Sequence, residues 1–211
     1  MEFLAHISDD GRKQTVQEHL EGTARLCSEF AAEFDAAEQG YLAGISHDIG
    51  KYTEAFQRRL HGGPKVDHAT AGAIECANAG SGQAAVCVIG HHSGLPDLGN
   101  IRADQPGDAT FYGRIKKGLM GGIEPYKDNW SGKLPKTAPA PASARSGFSG
   151  AAWTRMLYSC LVDADYLDTE AFMAAAAPGR GGYDPLPVLL ERLNAFIAPW
   201  FPGNTELNRK R

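Results

Sequence analysis

The chain has 211 residues, of which 43% are hydrophobic and 22% charged, enough for one soluble domain with a substantial core. Its formal net charge of −4 excludes bulk attraction to nucleic acid, so any phosphate binding must come from local features or metal ions. No run of about 18 apolar residues exists, so no membrane span is expected. The start Met1-Glu2-Phe3-Leu4-Ala5-His6 lacks the pattern of a secretory signal, and a cytoplasmic location is expected.

Taken in order, the elements read as helices. Val16, Leu20, Ala24, Cys27, Phe30, Ala31 and Phe34 fall at three-and-four spacing over Thr15 to Phe34, with His19 beside that stripe. A second helix is predicted over Ala36 to Asp48, ended or bent by Gly50. A short third, capped by Thr53, runs to Leu60 and is broken by Gly62-Gly63-Pro64. Asp67 is expected to cap a fourth, with His68 in its first turn, and Gln83 to Gly90 forms a fifth that ends in His91-His92. Thr110 to Met120 is a sixth. Asp128 to Gly150, rich in Pro, Ala, Ser and Gly, reads as a mobile internal loop. Order resumes over Ala151 to Ala177, which carries the acidic cluster Asp163, Asp165, Asp168 and Glu170, and a last helix spans Leu186 to Phe196. No alternating strand pattern of useful length appears, so the predicted class is all-α. Residues 1–200 are expected to form one domain and 201–211 a basic tail. The scattered Cys27, Cys76, Cys87 and Cys160 sit among apolar residues and read as buried, reduced thiols.

The chemistry concentrates in histidines. His47 and Asp48 offer a nitrogen and an oxygen ligand, a pairing that suits divalent transition metals. Neighbours in a helix point about 100° apart, so the two are expected to flank a pair of ions, with the carboxylate bridging. Singly, the other histidines have ordinary explanations. His19 reads as a helix-surface residue, His68 as part of a capped first turn, and His91-His92 as partners for terminal carbonyls. Together His19, His47, Asp48, His68, His91 and His92, plus one acid from the later helix, make about what two ions need with positions left for water and substrate. Lys51, one turn beyond Asp48, is suited to a non-bridging phosphate oxygen, or else is a solvated surface lysine. His6 and His61 are left as surface or packing residues.

The order His19, His47-Asp48-x-x-Lys51, His68, His91-His92 and a late Ala164-Asp165 resembles the HD superfamily of metal-dependent phosphohydrolases. More narrowly, Gln17-Glu18-His19-Leu20, Asp67-His68-Ala69-Thr70-Ala71-Gly72 and Gly90-His91-His92-Ser93-Gly94-Leu95-Pro96-Asp97 are similar to the HD nuclease domain of the CRISPR-associated nuclease–helicase of type I systems, subtype I-C in particular. The resemblance covers Ala5 to about Glu170. It implies an all-helical nuclease that cuts single-stranded DNA with two divalent ions (manganese, iron, cobalt or nickel; zinc also fits, as an inhibitor). One ion would be held by His19, His47, Asp48 and Asp165, the other by Asp48, His68, His91 and His92, with Lys51 on the scissile phosphate. Asp165 is preferred to Asp163 because Ala164-Asp165-Tyr166 with Thr169 matches the family's late motif, although Tyr166 replaces the usual tryptophan. The family joins this domain to a helicase through a segment like Asn208-Arg209-Lys210-Arg211. No G-x-x-x-x-G-K-[ST] occurs here, so a helicase domain or subunit is the implied partner, together with a CRISPR RNA-guided surveillance complex. A phosphohydrolase acting on nucleotides or cyclic nucleotides is the alternative.

Overall fold

The computed structural model describes residues 2–137, 140–144, 147–174, 181–201, 203 and 205–209. It divides into two compact units, Met1–Ala177 and Pro178–Arg211, with the division ahead of residue 200, where the domain is expected to end.

The first unit opens with an antiparallel hairpin, β1 (Leu4–Ile7) and β2 (Lys13–Thr15), that pairs His6 with Gln14. The remainder is helical as expected; strands of four and three residues are too short to show a period of two. Helix α1 (Val16–Ala31) starts at a capping box, in which Thr15 Oγ1 accepts from the Glu18 amide at 3.1 Å and the Glu18 carboxylate accepts from the Thr15 amide at 2.9 Å. Its apolar stripe packs on α2 (Ala37–Ser46) and on the long α7 (Gly147–Met173). Between these lie α3 (Glu54–Leu60), capped by Thr53, then α4 (Ala69–Asn78), α5 (Gly82–Gly90) and α6 (Phe111–Leu119). Cys27, Leu42, Cys87, Val88, Leu157 and Leu161 form the centre of the core, each large aliphatic side chain contributing about 1.5–3 kcal/mol by leaving water. All four cysteines are free and buried.

Helices α2 and α4 approach so closely that a Cβ on Gly72 would overlap the backbone carbonyl oxygen of Ser46. That contact lies next to His47 and sets the distance between the segments that carry His47 and His68. Segment 128–150 meets the core at Ala140 and Ala144, which are buried, while most of its other described residues are exposed. Gln83 Nε2 donates to the Ala144 carbonyl at 3.0 Å and Gln39 Nε2 to Thr137 Oγ1 at 2.8 Å. Helix α7 begins inside that segment, at Gly147, and its buried stripe begins at Gly150, with Phe148 exposed.

The second unit holds α8 (Leu186–Ile197), a 3-10 turn at Ala198–Trp200 and α9 (Glu206–Arg209). Among its described residues α8 buries none, and Leu190 and Phe196 are 57% and 68% exposed. Lys210 and Arg211 of the expected basic tail lie outside the described residues, as do Ala175, Ala176 and Ala177 of the expected long helix. Among the described residues, no helix is long and apolar enough to cross a membrane.

Candidate metal centre

His19 lies one turn into α1, on the face turned to α2 and α7, and has no exposed surface. Helix α2 stops at Ser46; His47 is its C-cap, and Asp48 has already left helical geometry at φ −116°, ψ 22°. The 100° offset between helical neighbours therefore does not apply. His47 Nε2 and Asp48 Oδ2 are 3.2 Å apart and point into one cluster. His68 occupies the N-cap position of α4 rather than its first turn. The capping bond comes from Asp67, whose carboxylate accepts from the Thr70 amide at 3.0 Å. His91 is the C-cap of α5 and His92 follows it.

These residues converge. His19, His47, Asp48 and Asp165 offer ligand atoms that all lie within 4.8 Å of one another, and so do Asp48, His68, His91 and His92. Asp48 belongs to both groups and presents a different oxygen to each. Its Oδ2 lies 3.4 Å from His19 Nε2 and 3.2 Å from His47 Nε2, while Oδ1 lies 3.4 Å from both His68 Nε2 and His91 Nε2. Asp165 Oδ1 closes the first group at 3.2 Å from His19 Nε2, and His92 Nε2 approaches His68 Nε2 at 2.8 Å in the second. Asp163 is exposed and belongs to neither group.

The far nitrogens are also committed. His47 Nδ1 meets the Gly44 carbonyl at 2.8 Å, His68 Nδ1 that of Val66 at 3.1 Å, and His91 Nδ1 that of Val88 at 2.7 Å. His19 Nδ1 meets Asp168 Oδ2 at 2.8 Å. A ring that donates from Nδ1 keeps its Nε2 lone pair for the interior, the tautomer a metal ligand needs. Asp48 supplies a further test. It is 1% exposed, yet neither oxygen receives a well-aimed hydrogen bond, although Lys51 Nζ stands 2.6 Å from Oδ2; His91 Nε2 is equally without a partner. Leaving a carboxylate dry and unbonded costs several kcal/mol unless a cation compensates it. Nitrogens that crowd a carboxylate without pointing protons at it fit the donor set of a divalent ion.

Protons do part of that work in the metal-free protein. Burial alone would lower His19, but the neighbouring carboxylates of Asp165, Asp168 and Asp48 outweigh it and push its pKa up to about 9. His47, also opposed by burial, is raised to about 10 by the charges of Asp48 and Asp165. Asp48 and Asp165, despite burial, are held well below the usual carboxylate range, chiefly by His47. His68 and His92 go the other way: burial lowers His68, and burial with His91 lowers His92 to about 4. Lys51 is 4% exposed, packs its ammonium 5.2 Å from the Phe56 ring, and is not a solvated surface lysine.

Two residues that spacing alone does not single out also stand here. His6, expected at the surface or in packing, sets its ring edge-on to His19 with centroids 4.7 Å apart. Asp168 stands three residues after Asp165 in α7, which places both on one helix face but equally suits any pair of surface acids. His61 is exposed and belongs to neither group.

No curated protein matches the chain. Residues 16–115, which include all five histidines of the two groups and Asp48, match the family model of the HD domain, and this supports placing the chain in the HD superfamily of metal-dependent phosphohydrolases.

Proposed function

We propose that the protein is a divalent-metal-dependent nuclease that hydrolyses phosphodiester bonds of single-stranded DNA, and that it acts in type I CRISPR antiviral interference. The observation that carries this reading is the position of Asp48, whose two oxygens each face a separate histidine group, one buried and one reaching the surface at His92. The run of residues 93–109 that follows His92 in sequence is largely exposed. An open approach of this kind favours a polymer strand over a small nucleotide, which calls for a closed pocket.

His19, His47, Asp48 and Asp165 would hold one ion, and Asp48, His68, His91 and His92 the other. A nitrogen-rich set of this composition suits manganese, iron, cobalt or nickel better than magnesium. Two such ions neutralise the charge that develops on a phosphodiester and lower the pKa of a water toward 7. The chain's own part is to hold that arrangement rigid. Backbone carbonyls at Gly44, Val66 and Val88 fix three rings, and Phe56 with Asp48 fixes the Lys51 ammonium at the edge of the cluster, where it would take a non-bridging phosphate oxygen. A helicase domain or subunit, in cis or in trans, and an RNA-guided complex would deliver the strand.

Incubation of the purified protein with manganese and circular single-stranded DNA tests the assignment. Linearised and shortened DNA is expected, with mononucleotides and cyclic nucleotides untouched. An intact circle alongside hydrolysed nucleotides would move the assignment to a nucleotide phosphohydrolase.

A further inference from the structure

Asp168 donates no atom to either histidine group, yet several features of the chain converge on it. Its Oδ2 accepts from His19 Nδ1 and from Gln14 Nε2, both at 2.8 Å. Gln14 belongs to β2 and is buried, and the Asp168 side chain is itself only 14% exposed. Space for the carboxylate is provided by Gly22 on α1, three residues after His19, where a Cβ would overlap Asp168 Oδ1. The hairpin that carries Gln14 is also tied to the end of α7. Arg12 Nη2 donates to the Met173 carbonyl at 3.0 Å, and the guanidinium lies 5.3 Å from the centre of the Phe172 ring. The other rings with a committed far nitrogen lean on backbone carbonyls; His19 alone among them leans on a charged side chain.

We propose that Asp168 is a positioning residue for His19: it accepts the Nδ1 proton, fixes the ring so that Nε2 faces Asp48 and Asp165, and makes that nitrogen a stronger ligand for the inner ion. Gln14 restrains the carboxylate, and glycine at position 22 admits it. The inference rests on the reading of the two groups as ion sites.

The test is an equilibrium titration of the metal-stripped full chain with manganese or cobalt, followed by calorimetry and, for cobalt, by visible absorption, with circular dichroism to report folding. The unaltered protein is expected to take up two ions. Asp168→Ala should weaken one of them about 10–100-fold and leave the other unchanged. Asp168→Asn, which keeps an acceptor oxygen, should lose less. Gly22→Ala should act in the same direction, because the new methyl meets only the far end of a side chain and pushes the carboxylate aside. The double variant should bind no more weakly than Asp168→Ala alone, since both changes break one hydrogen bond. A normal isotherm for folded Asp168→Ala, or additive losses from the two substitutions, would overturn the proposal. Should Asp168→Ala fail to fold, Asp168→Asn and Gly22→Ala decide by the same criteria. An unaltered chain that takes up no ion would defeat the reading of the groups as ion sites, and this inference with it.

Discussion

Asp48 and Lys51 are three residues apart and 2.6 Å from each other, but their replacement should have different consequences. Asp48→Ala removes a donor from both groups and is expected to abolish both metal uptake and cutting. Lys51→Ala should keep the metal, measured by elemental analysis, and slow cutting by about two to three orders of magnitude, as losing one charge-stabilising contact does; loss of metal in that variant would reject its assignment to phosphate. A second expectation concerns acidity in the metal-free protein. His19 and His47 bind protons more tightly folded than unfolded, so their contribution to stability is complete below about pH 6.5 and disappears as the pH rises through 9 to 10. Burial holds His6 and His92 down to about 3 and 4, so the unfolded chain takes their protons first and stability also falls as the pH drops below 6.5. Melting temperature in chelator should therefore peak near pH 6.5 and decline from there until pH 9 to 10, and a flat alkaline limb would contradict the raised values. The six residues from His19 to His92 and the late acid are legible in the sequence because few side chains can ligate a metal. Asp168 is not, because an acid whose hydrogen-bond partners, His19 and Gln14, are distant in sequence looks like any other on a helix surface until Gly22 is seen beneath it.

Helices whose ends carry a capping side chain were legible to within a residue or two. Thr15 and Thr53 each hold a first-turn amide, and the stripe from Val16 onward has only one face to bury. The hairpin was not, since its pairing depends on contacts with Gln57 and α7 that local pattern does not encode; Gln57 exchanges two 3.0 Å hydrogen bonds with Leu4. His68 moved from the first turn to the N-cap because Asp67, one residue earlier, bonds the Thr70 amide from outside the helix. At Gly72 an added Cβ would meet Ser46 backbone, which cannot yield as a side chain could. Gly72→Ala should destabilise the protein by about 3 kcal/mol or more. Denaturant unfolding measures this, and a loss under about 0.5 kcal/mol, the range of a harmless surface change, would show that α2 and α4 can part without cost.

Across the whole molecule, the helical class was readable from periodicity alone, whereas the division at Ala177 and Pro178 was not, because α8 carries the same apolar period as a helix that belongs to a core. The site itself is layered. His19 and His47 have no contact with solvent and Asp48 almost none, Asp165 is 19% exposed, and His92 stands in water. Release from such an arrangement would be a matter of time as much as affinity: an inner cation would have to shed three donors that bulk water scarcely reaches, while an outer one beside His92 would be open to attack by a chelator. Stripping should accordingly proceed in a fast and a slow phase, one ion each, followed by the loss of bound cobalt colour. Freshly isolated protein would then carry in its interior a record of the metal present when it folded.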